Sequence, residues 1–427
     1  MVSGLLLGAF LGVLAPQVAA SISVVGELFI RLFRMLVVPI VLVTIAAGIA
    51  QIGDPARLGR VGGRAFVLFL FTTVCAVAIG MLVGEALRPG QGVRLAAFGA
   101  PALRLSAPPS AHDLLVGIVP TNIFVSLGNG EMLPIIFFSI MIGLGTILAG
   151  EVGKPVSALL GASSRILLEV VRVVMEATPF GVLALVSNAV ATNGAAVFVN
   201  VGWLLLAVAV GALVQMLAVH GGLLLLIARR RPLRFFKTIT DALVVAFSTA
   251  SSAATLPIAI RIAENELNVS TEVAQTILPL GASIGKDGTA MYVGLLSMFS
   301  LQALGMPATV GTMAIMLFVA VLAAFGTAPV PSASLFMLTS VLSAGGVRAE
   351  DTALVVAFIL PFDRILDMTR TVPSASANLT IATVVAYLSD RMIEGENGHG
   401  NAAESSRQQV TTRQQTGANY RKIDGSD

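Results

Sequence analysis

"VVAFSTASSAATLPIAIRIA" (residues 244–263) opens apolar, collapses into a small hydroxylated centre at 248–257, and then resumes its apolar run. A continuous lipid-facing helix does not tolerate such a centre, because backbone groups freed there find no partner in hydrocarbon. The stretch therefore reads as a re-entrant hairpin: in, a polar tip, and out again. A second follows at "FGTAPVPSAS" (325–334), inside a run from Gly288 to Val347 that carries no charged residue. At about 1.5 Å per residue that run is far too long for one crossing. Two broken segments, each followed by an ordinary hydrophobic helix, indicate an internal repeat. Interruptions at corresponding positions of two repeats point to a transporter binding site near the bilayer midplane.

The rest of the chain agrees with a membrane setting. Of 427 residues, 56% are hydrophobic and 11% charged, and the mean hydropathy is +0.91; a soluble domain carries about 25% charged residues. Residues Val2 to Gly26 are uncharged and lack the basic start of a signal peptide, so they read as a retained first helix. Cys75 is the sole cysteine, which excludes a disulfide framework and a Cys-rich metal site. His112, His220 and His399 are scattered without ligand spacing, and no cofactor is expected. Basic residues cluster in "DPARLGRVGGR" (54–64) and "ARRRPLRFFK" (228–237), which the positive-inside rule places in the cytoplasm. Helices near 64–87, 112–149, 164–191 and 196–228 give the even number of crossings this requires. The polar tail from about Met392 is expected to be disordered, with both termini cytoplasmic.

Four segments supply the polar chemistry. They are the first tip (Ser248, Thr249, Ser251, Ser252, Thr255), "GKDGT" (Lys286, Asp287, Thr289), the second tip (Thr327, Ser332, Ser334), and "PFDRILDMTRTVPSASANLT" (361–380). In the last of these Asp363, Asp367, Arg370, Ser374 and Asn378 step by four, three, four and four, the spacing of one helix face. A charged stripe within a membrane segment must face a cavity or partners. Arg370 offers a planar fork suited to a carboxylate, Asp367 can hold an ammonium, and amides at the hairpin tips can take a second carboxylate. A solute with one ammonium and two carboxylates is aspartate or glutamate. Phosphate-loop chemistry is excluded, since "GASIGKD" has three residues before its Gly-Lys pair and Asp after it. So is an aspartyl protease, which needs facing carboxylates from different helices.

These motifs resemble the dicarboxylate/amino acid:cation symporter family, the glutamate transporters and their prokaryotic relatives. The resemblance runs from "RLFRMLVVPIV" (31–41) through "IVPTN" (118–122) to "ILDMTRT" (365–371), and includes "SSAATLP" (251–257) and "KDGTA" (286–290). It implies an all-α integral membrane fold of eight transmembrane helices plus two re-entrant hairpins with inverted repeats, assembled as a homotrimer in a prokaryotic plasma (inner) membrane. Residues 1–63 and 112–195 would form a scaffold, 64–111 and 196–391 a moving transport domain, and 392–427 a disordered tail. By the same resemblance Asp367 binds the substrate amino group and Arg370 its side-chain carboxylate, helped by Thr289. Ser251, Ser252, Val330, Ser334, Thr371 and Ser374 complete the substrate set. Lys286, Asp287, Asp363, Thr72, Thr73, Thr327 and Asn378 form the cation or proton coupling set.

The departures from the family pattern have a direction. Its Asn-Met-Asp-Gly-Thr motif reads Gly285, Lys286, Asp287, Gly288, Thr289, and its Asn and Asp cation ligands in the last helix read Ser374 and Asn378. Met to Lys and Asp to Asn together move the site two charges toward positive, what two sodium ions would have supplied. The expectation is a proton-coupled, sodium-independent acidic amino acid importer in which Lys286 neutralises Asp287 or a neighbour. Lys286, Asp363 and Asp367 are the candidate proton carriers. A sodium-coupled symporter or a C4-dicarboxylate transporter of the same family is the alternative, and no nucleic-acid partner is expected.

Overall fold

The computed structural model describes residues 2–51, 55–93, 116–194, 196–325 and 333–389, and among these every regular element is helical. Two helices, Val61–Leu87 and Val197–Leu226, are each long and apolar enough to cross a bilayer, and several more are shorter and apolar. The uncharged N-terminal run forms Val2–Leu14, then breaks before Pro16 into Pro16–Ser21 and the long helix Ser23–Gln51.

Two helices expected from hydropathy prove to be broken. In place of one helix over 112–149 stand Ile123–Asn129 and Met132–Leu148, with 112–115 outside the described residues. Gly130 separates them in the left-handed region at φ 69°, its N–H closing on Leu127 and Ser126 carbonyls. The 164–191 segment likewise belongs to two helices, Lys154–Glu176 and Thr178–Asn193, bent by 54°. Pro179 in the first turn of the second helix has no N–H to give and disfavours helical backbone just before it. A hydropathy average registers neither break, because the few polar residues at each, Asn129 and Glu131 or Glu176 and Thr178, are outweighed by the apolar residues on both sides.

The re-entrant reading of 244–263 predicts two arms and a tip, and that local geometry is present. Helix Thr240–Thr249 stops at Ala250, which takes a left-handed conformation at φ 52°. Ser251 then caps helix Ser252–Asn265 by accepting from the Ala254 N–H, and the two arms pack on each other. Helices Val310–Phe325 and Ala333–Ala344 pack on each other in the same way. Their connection, 326–332, holds Thr327, Val330 and Ser332 and lies outside the described residues.

The centre of the molecule is helix Asp287–Ala303, whose residues 287–301 are all buried. Past Asp287 it is uncharged and has no polar stripe, the composition of a helix covered on every side. It runs along Pro55–Leu87 at backbone contact distance. Gly80 makes this possible, since a Cβ there would collide with the Met291 carbonyl. That close approach carries Thr72 and Thr73 to the N-terminal end of the Asp287 helix.

Candidate substrate and ion site

Five helices converge where Thr271–Ile284 ends and Asp287–Ala303 begins: these two, Pro55–Leu87, the 196–226 span and 363–389. The last described helix, 363–389, packs so tightly there that a Cβ at Gly288 would strike the Arg370 carbonyl, and the Gly288 N–H donates to Ser374 Oγ at 3.0 Å. Its charged stripe faces inward as the four–three–four–four spacing predicts: Asp363, Asp367, Arg370, Ser374 and Asn378 are all buried. Arg370 pairs with Asp367 one turn away and donates to the Thr289 hydroxyl. The guanidinium lies 5.8 Å from the centre of the Tyr292 ring, whose hydroxyl donates to Asp363 Oδ1 at 3.1 Å. Arg370 Nε is buried without a partner. Thr371 turns its hydroxyl to the Asp367 carbonyl at 2.7 Å.

The first tip reaches this helix through Arg364, whose Nη2 lies 3.5 Å from the Thr249 carbonyl. Ser252 is buried and Ser251 is spent on its cap, whereas Ser248 is exposed. Ser334 is fully buried, its hydroxyl unpartnered. Thr327 and Val330 lie outside the described residues.

Of the partners open to Lys286, Asp287 or a neighbour, Asp287 is not bonded to it. Lys286, 3% exposed, donates from Nζ to the Ala282 carbonyl at 2.7 Å. Arg370 and Asp367 are among the charges that act on it. Consecutive residues at a helix start point to different sides, so adjacency in sequence did not make the pair. Its ammonium sits instead against the carbonyl end of Thr271–Ile284, where a positive charge is favoured.

Asp287 belongs to a different cluster. Its Oδ1 accepts from Thr72 at 3.0 Å and Thr73 at 3.3 Å, and its Oδ2 from Gln215 at 3.1 Å and His220 at 3.0 Å. The structure thus brings Thr72 and Thr73 to Asp287; Gln215 and His220 beside them were not anticipated. His220 Nδ1 completes the ring's bonding with Ser376 Oγ at 3.0 Å. With Nε2 assigned as donor to the carboxylate, Nδ1 of a neutral ring accepts from the serine. The reason for the omission is geometric. Residues five apart on an α-helix stand about 140° apart, at 100° per residue. Here Gln215–His220 is a single π-helical turn within Ala196–Leu226, and the wider turn brings both side chains to one side. The available signal was polarity alone: a glutamine and a histidine inside an apolar span.

Gly285 and Asn378 are coupled in space. A Cβ at 285 would strike Asn378 Oδ1 and the Phe69 ring, so the amide fills the room a longer side chain at 285 would need.

Apolar helices enclosing buried, mutually bonded charge are the setting of a membrane transport protein, and the family that the chain matches is one of transporters, not enzymes. The chain belongs to the sodium:dicarboxylate symporter family, whose profile matches residues 1–388. It is 33% identical over 398 residues to a proton/sodium-glutamate symport protein of Bacillus caldotenax, covering 90% of this chain and 92% of that protein. It is 32% identical over 405 residues to a proton/glutamate-aspartate symporter of Escherichia coli (strain K12), covering 90% of each. A C4-dicarboxylate transport protein of Azorhizobium caulinodans is 28% identical over 395 residues, covering 90% of this chain and 87% of that one.

Proposed function

We propose that the protein imports glutamate and aspartate by an elevator-type alternating-access mechanism, driven by protons and independent of sodium, with Lys286 standing in for a bound cation. The observation that carries the reading is the Lys286–Asp367–Arg370 group. A buried guanidinium with an unpartnered Nε offers an edge to a substrate carboxylate, and Asp367 one turn away offers itself to an amine. A C4-dicarboxylate has no use for Asp367. The Lys286 ammonium against the Ala282 carbonyl does what a bound cation would do there. It would also repel a sodium ion about 4 Å away by roughly 4 kcal/mol at an effective dielectric of 20.

The architecture we assign is eight spanning helices and two re-entrant hairpins, in a homotrimer of a prokaryotic inner membrane with cytoplasmic termini. Its division into scaffold and transport domain finds support in the packing. Val2–Leu14 lies on Thr178–Asn193, and Ser23–Gln51 on Met132–Leu148 and Lys154–Glu176, while Pro55–Leu87 lies on Asp287–Ala303. By the same reading Ser252 and Ser334 join Asp367 and Arg370 in the substrate set.

Labelled glutamate and aspartate uptake into proteoliposomes tests the reading. An inward proton gradient without sodium should drive accumulation, and a sodium gradient at equal pH should add nothing. Uptake strictly dependent on sodium would sink it.

A further inference from the structure

The Asp287 pocket holds what a small hard cation takes: a carboxylate, two threonine hydroxyls and, in Gln215 Oε1, a fully buried amide oxygen without a partner. The family's name implies sodium, so the fit of this set to that ion can be tested on its geometry. It fails. All four hydrogen-bonding positions of the carboxylate are taken by protein donors, and two of those donors are nitrogens. His220 and Asp287 are both 0% exposed, so no water-filled space remains beside Oδ2. Gln215 directs its amide nitrogen, not its oxygen, at the carboxylate and at the Thr72 carbonyl, 3.1 Å from each. The Thr72 hydroxyl has an alternative acceptor in the Phe69 carbonyl at 3.2 Å. It can therefore turn a lone pair toward Asp287 if a cation takes its place there.

We infer that His220 is an ion-selectivity residue. Its imidazole occupies the position beside Asp287 that sodium would need, while the Thr72 carbonyl and Asp287 Oδ2 hold Gln215 with its nitrogen inward; without the ring a cation can take the vacated place beside Oδ2, Gln215 can reverse its amide toward it, and the pocket becomes a sodium site. Lys286 acts at the neighbouring position, so the two residues close separate places. The inference rests on the sodium-independent reading above.

The test uses full-length His220→Ala and His220→Asn in proteoliposomes, with sodium chloride compared against choline chloride, and the melting temperature of each purified protein in the two salts. Should the alanine variant not purify as a single species, the asparagine variant carries the test, since its amide oxygen can itself face the ion. Wild type should be indifferent to sodium. The variants should gain uptake stimulation of roughly tenfold and a melting temperature higher by roughly 2 °C at sodium ten times its Kd. Asp287→Asn in the same background should abolish both gains, which places the ion. Folded, transporting variants that ignore sodium would overturn the inference and leave the proposed function standing. If wild type itself requires sodium, the proposed function falls, and Asp287→Asn in wild type decides the inference: an unchanged sodium requirement upholds the closed pocket, and a lost one overturns it.

Discussion

Arg370 and Asp367 show what one residue can be asked. Arg370→Gln leaves Asp367 charged and buried, and truncating one partner of such a pair costs about 3–5 kcal/mol. The expected outcome is a lower melting temperature together with loss of glutamate uptake. Adding Asp367→Asn should restore much of the stability and none of the uptake, as a two-by-two set of melting curves and flux assays would reveal. Lys286→Met removes the ammonium from the Ala282 carbonyl, and proton-driven uptake should fall at least tenfold, about 1.4 kcal/mol of lost stabilisation. Ser376→Ala strips His220 Nδ1 of its partner; an unsatisfied buried group of this kind costs roughly 1–3 kcal/mol, to be read as a fall in melting temperature. At this scale the sequence was informative wherever helical spacing was regular. The stripe from Asp363 to Asn378 needed only the three–four rule. For Lys286 the sequence left Asp287 or a neighbour open, because adjacency along a chain is not adjacency on a helix surface, and His220 was passed over because five is not an α-helical interval.

Elements carry a second kind of constraint, in which one helix's shape is fixed by its neighbour's. Gly285 ends one helix against Asn378 of another, so Gly285→Ala should be destabilising alone and less so with Asn378→Ala. A coupling energy of about 0.5–3 kcal/mol is expected from a double-mutant cycle on denaturation midpoints. At the first hairpin tip Ala250 sits in left-handed backbone, at a cost near 1–2 kcal/mol for a residue with a Cβ. Ala250→Gly should raise stability by up to about 1 kcal/mol, net of the added freedom of the unfolded chain. The tip was legible in sequence because small hydroxylated residues interrupt an apolar run. The breaks at Gly130 and Ala177 were not, because the one or two polar neighbours at each, Asn129 and Glu131 or Glu176 and Thr178, are swamped by the apolar residues on either side.

For the whole molecule, the sequence disclosed a membrane transporter through composition, two interruptions and one charged helix face, and the family match agrees. Which helices share a boundary was beyond it, since that depends on close approaches such as Gly80 against Met291. The proposed homotrimer has a direct check: light scattering of the detergent-solubilised protein, with detergent mass subtracted, should give three times the 44.0 kDa chain. A single-chain mass would remove the scaffold role assigned to residues 1–63 and 112–195.

The widened turn at 215–220 has a consequence for descent as well as for chemistry. Removing one residue between Gln215 and His220 would leave the two four apart on an ordinary helix, about 40° from each other, so the ring would stay beside the amide. An α-helical path through the same six residues would instead part them by about 140°. A relative with a one-position gap in this stretch would therefore keep the pair without the widened turn, and it is the uninterrupted turn, not the gap, that marks the inserted residue.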